Sequence, residues 1–261
     1  MTDFSNNNKT DWVEIAKSLG LIWFAEKIFE ALKWLVESRG ITQLELDAIW
    51  AFTHKRSVQT IRMSTATFSG TAGAGSIAIP AYGIVIDIAT LLEAMQKACL
   101  SVGASLAYQS GGDVDDIELQ DYVDILTLWA GAPDAIQCTE AKEVILSGQL
   151  AYGAGKIAGK LGGKAVAKVF GKTAGGIASF ASGAIGSQIG AKLAVKATAK
   201  TAAAGSATAF WGVGTIFGMV LNSGVNIWLL ADITHHAEVF YKAKFNIEPP
   251  PEGYLAKLNK Q

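Results

Sequence analysis

The chain has 261 residues, of which 50% are apolar and 17% are charged, and its net charge is −1. Disordered proteins combine low hydrophobicity with high net charge, so this composition excludes disorder throughout the chain. Two cysteines, Cys99 and Cys138, are too few for a disulfide scaffold and lack the spacing of a metal site.

Apolar residues recur at helical spacing along the chain, and no alternating pattern of useful length predicts a strand. We therefore expect an all-α fold, a multi-helix bundle around a Gly/Ala-rich hydrophobic helical hairpin. The predicted helices cover residues 11–38, 42–62, 80–108, 115–130 and 133–150, and the hairpin arms cover 173–191 and 203–231. The predicted division is into N-terminal amphipathic helices (1–64), a helical core (65–245) and a proline-rich tail (246–261).

Three tryptophans mark the first predicted helix. Trp12, Trp23 and Trp34 are eleven residues apart, which is about three helical turns, so they form one stripe. One interpretation is a helix packed on two sides. The other is an aromatic anchor for a membrane interface or a partner protein.

Acidic residues cluster between Asp113 and Asp124. Aspartates at a helix start satisfy free backbone N–H groups, so we expect them to cap helices, with docking onto the lysine-rich segment as the alternative. Asp87 stands alone in the apolar run 84–88 and is predicted to be a buried charge, with a lysine or a helix N-terminus as its partner.

The sequence shows no motif typical of a catalytic or cofactor-binding site. His235 and His236 are adjacent on a helix, lack metal-ligand spacing and are predicted to have surface or capping roles. Gly171-Lys172-Thr173 resembles the end of a phosphate-binding loop, but the required first glycine is replaced by Val166. We therefore predict no catalytic, cofactor-binding or metal-binding residues and no enzyme activity.

Charge is distributed unevenly along the chain. Residues 1–143 hold 19 acids and ten bases, whereas residues 144–231 hold eight lysines and no acid. Such a segment is expected to meet an anionic partner or the acidic half of its own chain. The residues predicted to contact an anionic membrane surface are Lys156, Lys160, Lys164, Lys168, Lys172, Phe170, Lys192, Lys196 and Lys200.

Small residues repeat at four-residue spacing in the hairpin segments, which lets helices approach closely. The predicted packing residues are Gly214, Gly218, Asn222 and Asn226, and Gly186 and Gly190 repeat the spacing. Lys192 to Lys200 is interpreted as the link between two uncharged segments. The uncharged run 201–231 is long enough to cross a bilayer but contains polar residues, which leaves a buried core, stable insertion or conditional insertion open.

The pattern also resembles the EcsC family of bacterial helical proteins. The resemblance covers roughly residues 65–240 and includes Ala78-Ile79-Pro80 with Asp87 and Glu93 downstream, the acidic stretch 113–124, the glycine–lysine segment 153–172, and the run from Gly212 to Asn226 leading to Ala237 and Phe240. It implies a helical fold, no established activity and no catalytic residues.

Together these features predict a non-enzymatic helical protein that binds anionic lipid or a membrane complex through its Lys/Gly-rich segment. No secretory signal is visible at the N-terminus, so a cytoplasmic, membrane-peripheral location is expected. A protein partner and a second copy of the chain are the further candidate partners, whereas nucleic acid is not expected because the basic segment has no arginine. The alternatives are a colicin-like pore-forming effector and a soluble scaffold or regulator whose acidic and basic halves pair.

Overall fold

The computed structural model describes residues 11–35, 41–64, 82–131, 184–203 and 225–254. Side chains of 82–90, 184–185, 196–203 and 225–227 lie outside the description. The regular elements of the described ranges are all helical, which confirms the all-α prediction. They are α1 (Trp12–Ser18), α2 (Ile22–Lys33), α3 (Gln43–Thr53), α4 (58–64), α5 (Tyr82–Gln109), a 3₁₀ turn (Val114–Asp116), α6 (Leu119–Ala130), α7 (Ala184–Ala203) and α8 (Val225–Lys244).

The first predicted helix is two helices. Asp11 caps α1 by accepting hydrogen bonds from the backbone N–H groups of Val13 and Glu14, at 3.0 and 3.2 Å. Gly20 then adopts a φ of +69°, a left-handed conformation that ends one helix and redirects the chain into the next. The prediction of one helix over 11–38 is therefore wrong.

The second predicted helix is also divided. Thr42 and Glu45 form a capping box that begins α3, in which the two residues bond to each other's backbone N–H groups. After the turn at residues 54–57, Ser57 begins α4 by accepting a hydrogen bond from the N–H of Thr60 at 3.1 Å. A cap inside the predicted range 42–62 is the physical reason that the single-helix prediction is wrong.

The long helix α5 lies at the centre of the fold and packs against α2, α3, α6 and α8. Its described core side chains include Leu92, Met95, Leu100 and Leu106, each no more than 2% exposed. Each large aliphatic side chain buried in this way contributes about 1.5–3 kcal/mol to folding. The predicted range 80–108 matches this helix closely.

Helix α6 is buried along almost its whole length, from Asp121 to Ala130. It runs antiparallel to α8, because Asp121 near its start pairs with Lys244 and Trp129 near its end bonds to Asp232. Gly131 ends α6 with a φ of +71°.

Helix α7 packs mainly against α2 and also contacts α1 and α6. A Cβ atom at Gly190 would lie 2.5 Å from the carbonyl oxygen of Ala25, and one at Gly186 would overlap the ring of Phe29. The close approach predicted for the Gly186/Gly190 repeat is confirmed, but its partner is α2, whereas the hairpin prediction paired this segment with 203–231.

The interpretation of Lys192–Lys200 as a link is wrong, because this segment lies within the continuous helix Ala184–Ala203. Most of the predicted hairpin, at 173–183 and 204–224, lies outside the described residues, and so does the predicted helix 133–150. Within the described ranges, no helix combines the length and the hydropathy needed to cross a bilayer.

Candidate membrane-contacting surface

Most residues predicted to contact a membrane lie outside the part of the chain that the structure describes. These are Lys156, Lys160, Lys164, Lys168, Lys172 and Phe170, and the packing residues Gly214, Gly218 and Asn222 are outside it as well. Asp87, Lys196, Lys200 and Asn226 lie in helices, but their side chains are outside the description. The roles predicted for these residues stay predictions.

Lys192 is the one predicted contact lysine whose side chain is described, and it is 1% exposed. Its Nζ atom lies 5.3 Å from the ring centroid of Trp12 and 4.8 Å from that of Trp129. The prediction that Lys192 faces an external anionic surface is therefore wrong. Two indole rings, from α1 and α6, give this ammonium group favourable cation–π contacts inside the fold.

Hydrogen bonds fix both tryptophans around Lys192. The indole N–H of Trp12 donates to the carbonyl oxygen of Ala130 at 3.0 Å, and that of Trp129 donates to Oδ2 of Asp232 at 2.8 Å. The cluster therefore joins α1, α6, α7 and α8 and has a structural role.

The start of α1 is attached to α7 by Gln188. This side chain accepts a hydrogen bond from the N–H of Trp12 at 2.8 Å and donates one to Oδ1 of Asp11 at 2.9 Å. The bond from Gln188 and the capping N–H groups stabilise the carboxylate and lower the pKa of Asp11 below its ordinary value.

The tryptophan stripe separates into a buried and an exposed part. Trp12 is 7% exposed, whereas Trp23 and Trp34 on α2 and its C-terminal end are each 49% exposed. Eleven residues return a helix to within about 20° of the same direction, so both point to one side of α2. The opposite side buries Phe24, Ile28 and Leu32 in the core. We refer to Trp23 and Trp34 as the α2 indole pair.

Capping accounts for the acidic cluster at two positions, as predicted. Asp113 accepts a hydrogen bond from the N–H of Asp115 at 3.1 Å in the 3₁₀ turn, and Asp121 accepts one from the N–H of Glu118 at 2.9 Å at the start of α6. Asp121 also pairs with Lys244. That lysine belongs to the C-terminal part of α8 and not to the acid-free segment 144–231.

His235 is exposed, but His236 is 5% exposed, so the surface or capping role predicted for His236 is wrong. Its Nδ1 atom lies 2.7 Å from the hydroxyl of Tyr254, which packs against α8 from the chain beyond the three prolines. The prediction of a proline-rich tail over 246–261 did not include this contact, because a tyrosine in a short polar segment has no periodicity that indicates burial.

The buried thiol and phenols of the core are expected to be unreactive at neutral pH. Burial raises the pKa values of Cys99, Tyr122 and Tyr241 well above their ordinary ranges, so these groups stay protonated at neutral pH. A protonated thiol is a poor nucleophile. Among the described residues, no group of three His, Cys, Asp or Glu side chains is placed to hold a metal ion.

Sequence reasoning missed a second exposed apolar surface, on α3. Leu44 is 79% exposed and Phe52 is 70% exposed, while Leu46 on the opposite side is buried. The signal was present as four-residue spacing from Leu44 through Ala48 to Phe52. This spacing did not stand out in the sequence, because the residues of α3 that face the core are also apolar.

Comparisons with protein-family models, with curated proteins and with solved structures gave no match to this chain. The resemblance to the EcsC family therefore stays a prediction.

Proposed function

We propose that this chain is a non-enzymatic helical protein that associates peripherally with an anionic membrane surface on the cytoplasmic side. The observation that carries the proposal is the α2 indole pair, two half-exposed tryptophans on one side of a helix whose other side is core. Indole rings favour the membrane–water interface because they combine an apolar body with a polar N–H.

The charge distribution supports an anionic surface. The acid-free segment 144–231 holds seven lysines besides Lys192, which is buried. Five of the seven fall at every fourth residue from 156 to 172. A lysine near an anionic bilayer contributes about 1 kcal/mol to binding. In the proposed mode the glycine–lysine segment 153–172 supplies the electrostatic attraction and the α2 indole pair supplies shallow apolar anchoring.

The charges around the α2 indole pair are compatible with this role. Lys27 and Glu30 pair at 2.7 Å between the two tryptophans, so this side of the helix is close to neutral. A neutral aromatic surface enters the headgroup region at a lower desolvation cost than one with unpaired carboxylates.

Co-sedimentation with vesicles tests the proposal. Wild-type protein is incubated with neutral phosphatidylcholine vesicles and with vesicles containing phosphatidylserine, at low and high salt. We expect recovery on the anionic vesicles alone, falling as salt screens the charges. Equal recovery on both kinds of vesicle, independent of salt, or no recovery on either, contradicts the proposal.

Two variants separate the contributions. Replacing Lys156, Lys160, Lys164, Lys168 and Lys172 by Gln is expected to remove most of the salt-dependent binding, and Trp23→Ser with Trp34→Ser is expected to lower binding at all salt concentrations. Lys17→Gln is the control, because its side chain is 69% exposed and lies on α1. Release of a trapped dye from the same vesicles favours the pore-forming alternative, in which residues 201–231 insert.

A further inference from the structure

We propose that the corner between α3 and α4, with Phe52, Lys55, Arg56 and Tyr108, is a second contact site for anionic phospholipid headgroups. We call it the α3 corner. The inference rests on the proposed function and adds to it a lipid-contact site that is distant in sequence from the lysine-rich segment.

The outer side of α3 is apolar and uncovered. At 100° per residue, Leu44, Ala48, Ala51 and Phe52 fall within an arc of about 100°. All four are exposed, and Phe52 near the C-terminal end of α3 is 70% exposed. The stripe therefore leaves two large apolar side chains, Leu44 and Phe52, in contact with solvent.

Two cations follow directly after this stripe. Lys55 and Arg56 lie in the turn after α3 and are exposed, and neither forms an ion pair with any residue that the structure describes. Arg62 on α4 differs, because it pairs with Glu238 at 2.6 Å. The corner therefore presents an apolar ring next to two available positive charges, the combination that binds the boundary between headgroups and acyl chains.

Contacts with α5 hold this turn in place. The ring of His54 stacks on Trp50 with centroids 5.2 Å apart and meets the edge of Tyr108 at 4.9 Å. The hydroxyl of Ser105 donates to the backbone oxygen of Arg56 at 2.7 Å. Because the turn's backbone and the His54 ring contact other parts of the protein, the position of Lys55 and Arg56 in the turn is preorganised. Tyr108 is 47% exposed and adds an interfacial aromatic side chain to the same corner.

Hydrogen bonds hold several of the carboxylates near α3. Asp47 borders the stripe toward the N-terminal end of α3 and accepts a hydrogen bond from Gln43 at 3.0 Å. The 3₁₀ turn that packs against α3 holds three aspartates. Asp113 and Asp116 bond to backbone N–H groups within the turn, and Asp115 is exposed to solvent. Lys55 and Arg56 are the charged residues that directly follow the C-terminal end of α3, and these two charges favour an anionic partner at the corner itself.

The size of the surface favours a lipid over a second protein chain. A stable protein interface takes about 800 Å² from each partner, and one aromatic side chain supplies about 150–250 Å². A stripe of one phenylalanine, one leucine and two alanines is small for a protein interface, whereas shallow insertion into headgroups needs only one or two such side chains.

The test is vesicle binding of full-length variants. Lys55→Gln with Arg56→Gln is expected to weaken binding to phosphatidylserine vesicles by roughly ten- to thirty-fold, since each cation near the surface contributes about five-fold. Lys17→Gln with Lys97→Gln removes the same charge from two exposed positions elsewhere and is expected to change binding by at most about two-fold. Phosphorylserine in solution, a headgroup without a bilayer, is expected to compete weakly because it offers no apolar phase.

Insertion is tested by a fluorophore at Phe52→Cys, in a chain with Cys138→Ser, since Cys99 is buried. Nitroxide lipids are expected to quench this fluorophore and not one at Glu14→Cys on α1. If wild-type protein binds and the Lys55/Arg56 and Phe52 variants behave like their controls, the α3 corner is overturned while the proposed function stands. If wild-type protein does not bind, both are overturned, and concentration-dependent dimers lost in Phe52→Ser identify the surface as a contact between chains.

Discussion

Lys244 contacts Asp121 at 2.5 Å, with only 10% and 6% of the two side chains exposed to solvent. The contact joins the C-terminal end of α8 to the first turn of α6, and the second oxygen of Asp121 accepts the N–H of Glu118. Asp121 therefore performs two tasks, as a helix cap and as the counter-charge of a buried lysine.

Removing one partner of this pair leaves a buried charge without compensation. We expect Lys244→Met to lower the free energy of unfolding by about 3–5 kcal/mol, and the double variant with Asp121→Asn to lose less than the sum of the two single variants. Urea denaturation of all four chains measures the coupling.

The exposed pair of Lys97 and Glu93 is the matched control. Its two atoms are 2.7 Å apart, but the side chains are 48% and 29% exposed. We expect a coupling of no more than about 0.5 kcal/mol, because solvent screens an exposed pair. Equal coupling in the two pairs contradicts the argument that burial makes the α6–α8 contact strong.

Glycine substitutions test the close approach of α7 to α2. Alanine ordinarily stabilises a helix by about 1 kcal/mol relative to glycine. At Gly190 the added Cβ meets the backbone oxygen of Ala25, which cannot move without shifting α2, so we expect Gly190→Ala to destabilise the fold by about 1–3 kcal/mol.

At Gly186 the added Cβ meets the outer edge of the Phe29 ring, which a rotation of the side chain can relieve. We therefore expect Gly186→Ala to cost less than Gly190→Ala in the same thermal or urea unfolding experiment. Stabilisation of both variants would contradict the packing of α7 on α2.

The sequence carried enough information to predict α5 and α6. Their apolar residues follow one helical period over many turns, so local pattern and tertiary packing agree. The sequence did not carry enough information to predict the break between α1 and α2. A single glycine inside an apolar helical pattern is compatible with both a continuous helix and a left-handed turn. Only the φ of +69° at Gly20 distinguishes them.

The candidate surface was predicted less well than the fold. Lysine spacing identifies a positive helix face, but it does not say which lysine is enclosed by aromatic residues from other helices. Lys192 lies between Trp12 and Trp129, whose positions in the chain are distant from it and from each other. Tertiary packing alone determines that contact, and the exposure of Phe52 depends in the same way on what α3 leaves uncovered.

Chemical labelling checks the burial of Lys192. We expect an amine-reactive ester to modify Lys17, which is 69% exposed, and to leave Lys192 unmodified in the native protein. Both are expected to react in denaturant, which is the control for intrinsic reactivity. Mass spectrometry of tryptic peptides gives the two extents, and equal native labelling would contradict the enclosed position of Lys192.

The buried phenol of Tyr241 makes the stability of the fold depend on pH in the alkaline range. Burial, with the negative charge of Asp121 nearby, raises the pKa of its phenol well above the ordinary value of about 10. The unfolded chain therefore loses this proton first as the pH rises, and the folded state loses stability by up to about 1.4 kcal/mol per pH unit above pH 10. We expect Tyr241→Phe to remove that part of the slope.

At neutral pH the same variant is expected to be about as stable as the wild type. The Tyr241 hydroxyl is buried and, among the described residues, no acceptor meets the geometry of a hydrogen bond, although the Asp121 carboxylate lies close enough to interact with it. We therefore expect its removal to cost little. Tyr122→Phe is the control, because the Tyr122 hydroxyl donates to the backbone oxygen of Leu92 at 3.2 Å. Its loss is expected to cost about 1 kcal/mol at neutral pH. Urea unfolding at pH 7 separates the two variants, and the same measurement up to pH 11 gives the slope for Tyr241→Phe. A stability loss at pH 7 in Tyr241→Phe as large as in Tyr122→Phe means that the Tyr241 hydroxyl has a partner in the folded protein.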